Sequence, residues 1–307
     1  MEEDALGVEE EDLDEIKVGL MENHWKGIPE LPNTFGKERI IRVCDNVSLR
    51  VFIWEPIEKS SEIPILMVPG WGSVFEGWRP LITEWSQRRK IIYVETREKA
   101  SARFDNKMKQ KDFTISMYVN DIAEIINKLG IEDNFHLFSS SLGSTIIIHA
   151  LQERKISGKS SIFLAPNQKF RFPIWAKILI KLPLPKITLR WLIKIAIWAV
   201  ERKVTEEGQK IRYRRTLISQ NYERIRFSAR YLMGYSLPEN LSNINIPCAI
   251  LTAESDKLHG SEDVDFISEK IPNLQIIPIP SNQYAHQADV LKEIDSFQSI
   301  LENNEQM

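Results

Sequence analysis

Residues 136–144 read HLFSSSLGS, in which three serines and a glycine follow a short apolar run. The apolar run is typical of a strand, and the residues after the serines are typical of a helix. A strand that turns abruptly into a helix crowds its own backbone, so small residues are needed two positions before and two positions after the turning residue. With Ser141 as the turning residue, those positions are Ser139 and Gly143. We interpret the stretch as a turn that exposes a nucleophilic Ser141 hydroxyl; a polar turn without a catalytic role is the alternative.

The chain on both sides of this stretch alternates between strands and helices. The alternating pattern begins with a β-hairpin around Asp45 and Asn46, a favourable turn pair that is flanked by β-like runs. A hairpin followed by repeated β-α units specifies a mostly parallel sheet with helices on both faces, and such sheets bind ligands at the carboxyl ends of their strands. The predicted units are strands at 63–68, 90–95, 135–139, 160–165, 247–253 and 274–280, and helices near 77–89, 114–130, 142–154, 260–271 and 287–301.

Composition divides the chain into three parts. Residues 1–36 form an acidic arm, with nine acidic residues in the first fifteen, and we expect the arm to be largely disordered. Residues 37–166 and 242–307 carry the β-α units and are predicted to form an α/β core. Residues 167–241 alternate apolar blocks with spaced lysines and arginines and contain no convincing strand. We predict that this segment is a helical insertion that forms a lid over the strand ends.

Charge and cysteine content exclude several classes of protein. The 307 residues carry a formal net charge of −3, which predicts no nucleic-acid partner. Cys44 and Cys248 lie far apart and lack the spacing of a zinc site, so we expect two buried thiols in a reducing compartment. The N-terminal segment lacks the positive start and apolar stretch of a secretory signal, and no uncharged run approaches the length of about 20 residues that a membrane span requires. These features predict a cytoplasmic protein.

A nucleophilic serine needs a base to take its proton and an acid to orient that base. Among the five histidines, His286 follows the last predicted strand and precedes the last predicted helix, so it lies at a strand's carboxyl end like Ser141. The acid is expected after another strand, between these two residues. Asp256 is three residues past the end of its strand, and Glu254 is a weaker rival. The sequence therefore predicts a triad of Ser141, Asp256 and His286.

The order of these three residues closely resembles the α/β-hydrolase superfamily, in its serine esterase and lipase-like branch. The resemblance extends to PGWGS after the third strand, to the hairpin at the start and to the helical insertion before the acid, and it covers about residues 37–302. It implies an α/β-hydrolase fold, with a mostly parallel eight-stranded sheet, helices on both faces and an inserted helical lid.

The resemblance also implies an oxyanion hole made of backbone N–H groups. Its donors would be Trp71, in the loop after the third strand, and Leu142, at the start of the helix after the nucleophile. Two positions depart from the usual pattern of the family. Ser139 replaces the first glycine of the nucleophile motif, and Pro69 replaces the histidine that usually precedes the loop glycine.

These features predict a serine hydrolase that cleaves a carboxylic ester with a hydrophobic acyl part. The substrate would be a small hydrophobic ester or a lipid-like one, because Trp71, Phe75 and Trp78 lie near the oxyanion loop and indicate an apolar pocket. The mechanism needs no metal and no organic cofactor. Two alternatives stay open: an acyltransferase that uses the same triad, and a non-catalytic lipid-binding protein on the same fold.

The predicted lid carries a basic stripe. Lys186, Arg190 and Lys194 recur every four residues among apolar residues, and Lys177 and Lys181 show the same spacing in the preceding stretch. The pattern indicates either a cap helix with its lysines turned to solvent or an amphipathic helix that contacts an anionic membrane surface. Both interpretations predict an apolar roof over the pocket.

Overall fold

The computed structural model describes residues 27–182, 195, 197–199, 202, 204, 206–253 and 261–305. Most of the acidic arm lies outside the described residues. So do the candidate acids Asp256 and Glu254, and so does the basic stripe of Lys186, Arg190 and Lys194.

In the described part of the chain, nine strands form one sheet. Their order across the sheet is β1-β2-β4-β3-β6-β7-β8-β9, and the short β5 pairs with β2. The β1–β2, β2–β4 and β2–β5 pairs are antiparallel, whereas every other pair is parallel. The strands are β1 (Thr34–Cys44), β2 (Val47–Pro56), β3 (Ile65–Val68), β4 (Ile91–Val94), β5 (Arg103–Phe104), β6 (His136–Ser140), β7 (Ser160–Leu164), β8 (Cys248–Ala253) and β9 (Gln275–Ile279).

Helices follow most of the parallel strands, as the sequence predicts. The predicted helix at 114–130 ends where Gly130 adopts a φ of 61°, a left-handed conformation that favours glycine. None of the described helices is long and apolar enough to cross a bilayer. The helices are α1 (Arg79–Trp85), α2 (Ile115–Leu129), α3 (Leu142–Gln152), α4 (Ile174–Lys181), α5 (Glu207–Ile218), α6 (Tyr222–Leu232), α7 (Ser261–Lys270) and α8 (Leu291–Glu305).

Apolar side chains pack against both faces of the sheet. Successive residues of a strand point to opposite faces, so Val51 and Ile53 of β2 join one core cluster while Phe52 and Trp54 join the other. Helices α2 and α3 cover the first cluster, and α1 and α8 cover the second. The predicted mostly parallel sheet with helices on both faces is therefore confirmed.

Two details differ from the sequence prediction. The sheet has the eight expected strands plus β5, whose two residues pair with the start of β2. Cys248 is buried as expected, but Cys44 is exposed. The reason is the strand period of two, since Ile41 and Val43 of β1 face the core and Cys44 therefore faces outward.

The described part of the insertion, 167–241, contains helices α4, α5 and α6. An isolated antiparallel bridge between Lys169 and Ser236 joins its two ends. The insertion follows β7 and therefore begins at the carboxyl end of that strand, and the chain after it leads to the amino end of the parallel strand β8.

Candidate active site

Ser141 forms the turn between β6 and α3. Its φ of 47° and ψ of −116° are rare for a residue with a side chain. Ser139 and Ser140 belong to the strand and are buried, whereas Ser141 is partly exposed. A Cβ at Gly143 would overlap the Val68 carbonyl oxygen, so the position two after the turn must be glycine. The packing thus requires the small residue that the sequence pattern placed there.

Ser141 and His286 line one cavity, which has a volume of about 90 Å³. The cavity lies where β3, β6, β7 and β9 end, and the insertion helix α5 supplies a further wall through Arg212, Tyr213 and Thr216. Two residues that lie far apart in sequence are thereby brought to the same space at the carboxyl edge of the sheet.

His286 lies in a short turn after β9 and is only 8% exposed. Its Nδ1 atom is 2.9 Å from the carbonyl oxygen of Asn282. A carbonyl oxygen can only accept a hydrogen bond, so this contact assigns the proton of the neutral ring to Nδ1 and makes Nε2 the acceptor nitrogen. The indole of Trp78 stacks on the imidazole, with 4.0 Å between ring centroids, and holds the plane of the ring. A histidine in this tautomer can take a proton through Nε2.

The loop from Pro69 to Ser73 lies directly beside the serine turn. A Cβ at Gly70 would be 3.2 Å from the Cβ of Ser141, so the loop and the turn are in close contact. Trp71 lines the cavity, and its indole N–H donates to Ser228 of α6 at 2.9 Å. Leu142 is the first residue of α3, where an N–H group has no acceptor within its own helix. The residues predicted to be oxyanion donors therefore lie on either side of the turn at Ser141.

The two aromatic residues assigned to the pocket have different positions. Trp78 lines the cavity and contacts His286. Phe75 lies in the core instead, where it is 1% exposed and stacks on Trp54 with 5.2 Å between ring centroids. Phe75 therefore supports the loop from below, because the short helical turn that it begins directs it toward the sheet.

Sequence reasoning missed Asn167, which donates from Nδ2 to the Ser141 hydroxyl oxygen at 3.1 Å. Asn167 follows β7, and its own carbonyl accepts from the Thr145 hydroxyl at 2.9 Å, which fixes the loop against α3. The signal was available, since Asn167 is a polar residue just after a buried strand that neighbours β6.

A second missed group joins the insertion to the loop that carries His286. The Arg212 guanidinium donates to Asn282 Oδ1 at 2.6 Å and also to the Gln283 side-chain oxygen. The Glu206 carboxylate accepts from the backbone N–H groups of Asn282 and Gln283, at 3.3 and 2.7 Å. No local pattern distinguishes these two charges from the many others in the segment, so the sequence carried no signal for them.

Two other histidines are held in structural contacts. His136 lies on β6, and its Nδ1 is 2.8 Å from the Ser160 hydroxyl. Burial lowers the pKa of His136 to about 4, and Arg89 and Lys159 act in the same direction, so the ring is neutral at pH 7. His149 contacts Tyr235 and Glu153 at 2.9 and 3.1 Å on the outer side of α3.

No protein-family model matches the chain, and no curated protein sequence matches it. The structure is nevertheless similar to solved structures of other proteins. An esterase from Rhodococcus sp. has a TM-score of 0.65 at 14% identity, over 87% of this chain and 98% of the other. An esterase from Exiguobacterium antarcticum has 0.64 at 16%, over 87% and 100%. An enol-lactonase from Burkholderia xenovorans has 0.64 at 11%, over 85% and 98%. At such identities the likeness concerns the fold.

Proposed function

The chain has the α/β-hydrolase fold, and from that premise we propose that it is a serine hydrolase that cleaves a carboxylic ester. One observation carries the proposal: Ser141, held at a strained strand-to-helix turn, lines the same cavity as His286. Strained backbone at a residue that faces a cavity is a feature of catalytic sites. The names of the similar proteins, two esterases and an enol-lactonase, agree with hydrolysis of an ester bond.

In the proposed mechanism, Ser141 Oγ attacks the carbonyl carbon while its proton passes to His286 Nε2. Asp256 orients the imidazole and stabilises the imidazolium that forms. The oxyanion of the tetrahedral intermediate accepts hydrogen bonds from the backbone N–H groups of Trp71 and Leu142, and each donor of this kind contributes about 3 to 4 kcal/mol. The imidazolium then protonates the leaving alcohol, and water hydrolyses the acyl-enzyme by the same steps in reverse order.

The size of the cavity indicates the size of the acyl group. A volume of about 90 Å³ is smaller than the engineered apolar cavity of about 150 Å³ that binds benzene. A short apolar acyl chain fits this space, whereas a long chain requires α5, which lines the cavity through Tyr213 and Thr216, to move outward. We therefore propose that the preferred substrate has a small hydrophobic acyl group.

Hydrolysis of p-nitrophenyl acetate, butyrate, octanoate and palmitate tests this proposal. We expect kcat/KM to be highest for the short esters and to fall at least about tenfold by octanoate, because longer chains clash with α5. Tyr213→Ala is the matched variant, and it should shift the preference toward longer chains by enlarging the cavity. A wild-type optimum at palmitate would contradict the small pocket, and no turnover of any ester together with no fluorophosphonate labelling would contradict the hydrolase. Ester formation with an added alcohol, in excess of hydrolysis, would identify an acyltransferase instead.

We further propose that the insertion contacts an anionic membrane surface. Helix α4 exposes Ile174, Trp175 and Ile178, and Lys177 and Lys181 are exposed beside them. An aromatic ring and aliphatic side chains flanked by lysines are the composition of helices that lie in a membrane interface. Beyond α4 the sequence carries the basic stripe of Lys186, Arg190 and Lys194, which recur every four residues.

Changing Lys177 and Lys181 together to glutamine should weaken binding to vesicles that contain phosphatidylserine by roughly thirtyfold. Each basic residue near such a surface contributes about 1 kcal/mol. Activity on a soluble short ester should stay unchanged, and added salt should reproduce the effect in the wild-type protein by screening the attraction. The matched control is Lys59→Gln with Lys107→Gln, which removes the same charge from exposed positions elsewhere. Equal weakening by both pairs would contradict a specific contact of α4.

A further inference from the structure

Two adjacent charged residues are buried in the turn after β4. Glu98 and Lys99 are 0% and 1% exposed. Lysine and glutamate are almost never buried to this degree unless they are paired or hydrogen-bonded. Burial lowers the pKa of the Lys99 ammonium, and the carboxylates of Glu98 and Glu95 partly offset this effect. Burying a charge costs free energy, so the contacts of these two side chains indicate what offsets that cost.

Lys99 contacts the backbone of the oxyanion loop. Its Nζ atom donates to the carbonyl oxygen of Gly70 at 3.2 Å and to that of Ser73 at 2.5 Å. The N–H of Ser73 also donates to the Gly70 carbonyl, at 3.0 Å. The ammonium therefore closes the loop by binding a carbonyl on each side of Trp71.

Glu98 contacts the same loop as a hydrogen-bond acceptor, whereas Lys99 contacts it as a donor. Its Oε1 atom accepts from the N–H of Gly72 at 3.1 Å and from the Thr96 hydroxyl at 2.8 Å. The neighbouring Thr96 contact orients the carboxylate, so Glu98 is held in place while it binds the loop.

These contacts fix both peptide planes that flank Trp71. The first plane contains the carbonyl of Gly70 and the N–H of Trp71, and in a planar trans peptide these two groups point in opposite directions. Lys99 holds that carbonyl and thereby determines where the Trp71 N–H points. The second plane contains the N–H of Gly72, which Glu98 holds. A peptide flip at Trp71 would break a charge-assisted hydrogen bond in a buried site.

We propose that Lys99 and Glu98 are positioning residues that preset the Trp71 N–H as an oxyanion donor. This inference rests on the proposed serine-hydrolase function. Neither side chain contacts the reacting atoms; both act through the backbone of the loop. The two contacts also explain why proline can occupy position 69, where a histidine is usual in the family. Lys99 and Glu98 hold the loop through its backbone, so the loop does not depend on a histidine side chain at that position.

Lys99→Met tests the role of the ammonium, because methionine has a similar length and apolar stem but donates no hydrogen bond. On p-nitrophenyl butyrate we expect kcat to fall about a hundredfold, as for the loss of one oxyanion donor. We expect KM to change by less than about threefold, and the apparent pKa of the base in the pH profile of kcat/KM to stay the same, since His286 is untouched. A purely structural role would instead lower the melting temperature and leave kcat per folded molecule unchanged.

Two substitutions of Glu98 separate hydrogen bonding from packing. Glu98→Gln keeps a side-chain oxygen that can accept from Gly72 and should retain kcat within about fivefold, whereas Glu98→Leu should lower it by at least about tenfold. The matched control is Asp121→Asn, which perturbs the buried Asp121–Arg97 ion pair without contact to the loop. It should lower the melting temperature and leave kcat of the folded protein unchanged. The Glu98 pair gives the same test if Lys99→Met does not fold.

Amide hydrogen exchange at Trp71 and Gly72, followed by NMR, provides a readout that is independent of turnover. Exchange at Gly72 should accelerate in Glu98→Leu and not in Asp121→Asn, because the Gly72 N–H loses its acceptor. Folded Lys99→Met and Glu98→Leu proteins with the kcat of an active wild type would overturn this inference and leave the serine hydrolase intact. A wild-type protein that neither turns over esters nor reacts with a fluorophosphonate would overturn the proposed function, and the positioning role with it.

Discussion

Replacing Ser141 by alanine should lower ester turnover by roughly 10⁵- to 10⁶-fold and abolish labelling by a fluorophosphonate, because it removes the hydroxyl that is proposed to form the acyl-enzyme. Ser141 forms the turn with its φ of 47° and contacts the cavity that His286 also lines. The measurements are initial rates on a short-chain ester and gel fluorescence after reaction with the probe.

Ser140→Ala is the control for this result and should keep most of the activity. Ser140 is the last residue of β6 and also lines the cavity, so it is the nearest alternative nucleophile. Ser139 is a weaker one, since its hydroxyl donates to Ser144 at 3.2 Å inside the core. Loss of labelling in Ser140→Ala, with labelling kept in Ser141→Ala, would show that Ser140 is the nucleophile.

Replacing Asp256 by asparagine should lower kcat by about 10³- to 10⁴-fold, as an asparagine does in triads where the acid holds the histidine. The Asn282 carbonyl already contacts Nδ1 of His286 at 2.9 Å, so it can hold the neutral ring in the right tautomer. A neutral carbonyl stabilises the imidazolium far less than a carboxylate does, however, and that charged state forms during acyl transfer. The effect should therefore appear in kcat, measured under single-turnover conditions.

Glu254→Gln is the matched variant and should turn over at nearly the wild-type rate. Both positions lie in the segment between β8 and α7, outside the described residues, so their assignment rests on the sequence. An inactive Glu254→Gln beside an active Asp256→Asn would reverse the assignment. Activity lost in neither variant would mean that neither carboxylate is needed to orient His286.

The parts of the fold that the sequence predicted are those with local causes. The serine turn was predictable because Gly143 must be glycine against Val68, a constraint that shows as a small residue at a fixed spacing. Helix α2 was predictable because its apolar residues recur at helical spacing and Gly130 ends it. The position of His286 beyond the carboxyl end of a strand was predictable because the residue follows β9 and precedes the final helix.

The parts that escaped prediction are contacts between distant segments. Asn167 reaches Ser141 across 26 residues, and Arg212 reaches Asn282 across 70. Lys99 reaches the carbonyl of Gly70 across 29 residues, a contact that becomes visible only in the structure. Neither periodicity nor a motif in the sequence indicates such contacts, because they depend on which strand ends lie next to each other at the edge of the sheet.

The most direct test of a nucleophile at Ser141 is to locate the covalent adduct by mass spectrometry. The intact protein is reacted with a fluorophosphonate and digested with trypsin, which releases residues 129–154 as one peptide that contains all the serines of the turn. Fragmentation of that peptide then assigns the modified residue. We expect a single adduct on Ser141, absent from the Ser141→Ala protein. An adduct on Ser139 or Ser140, or a protein that stays unmodified, would contradict the account.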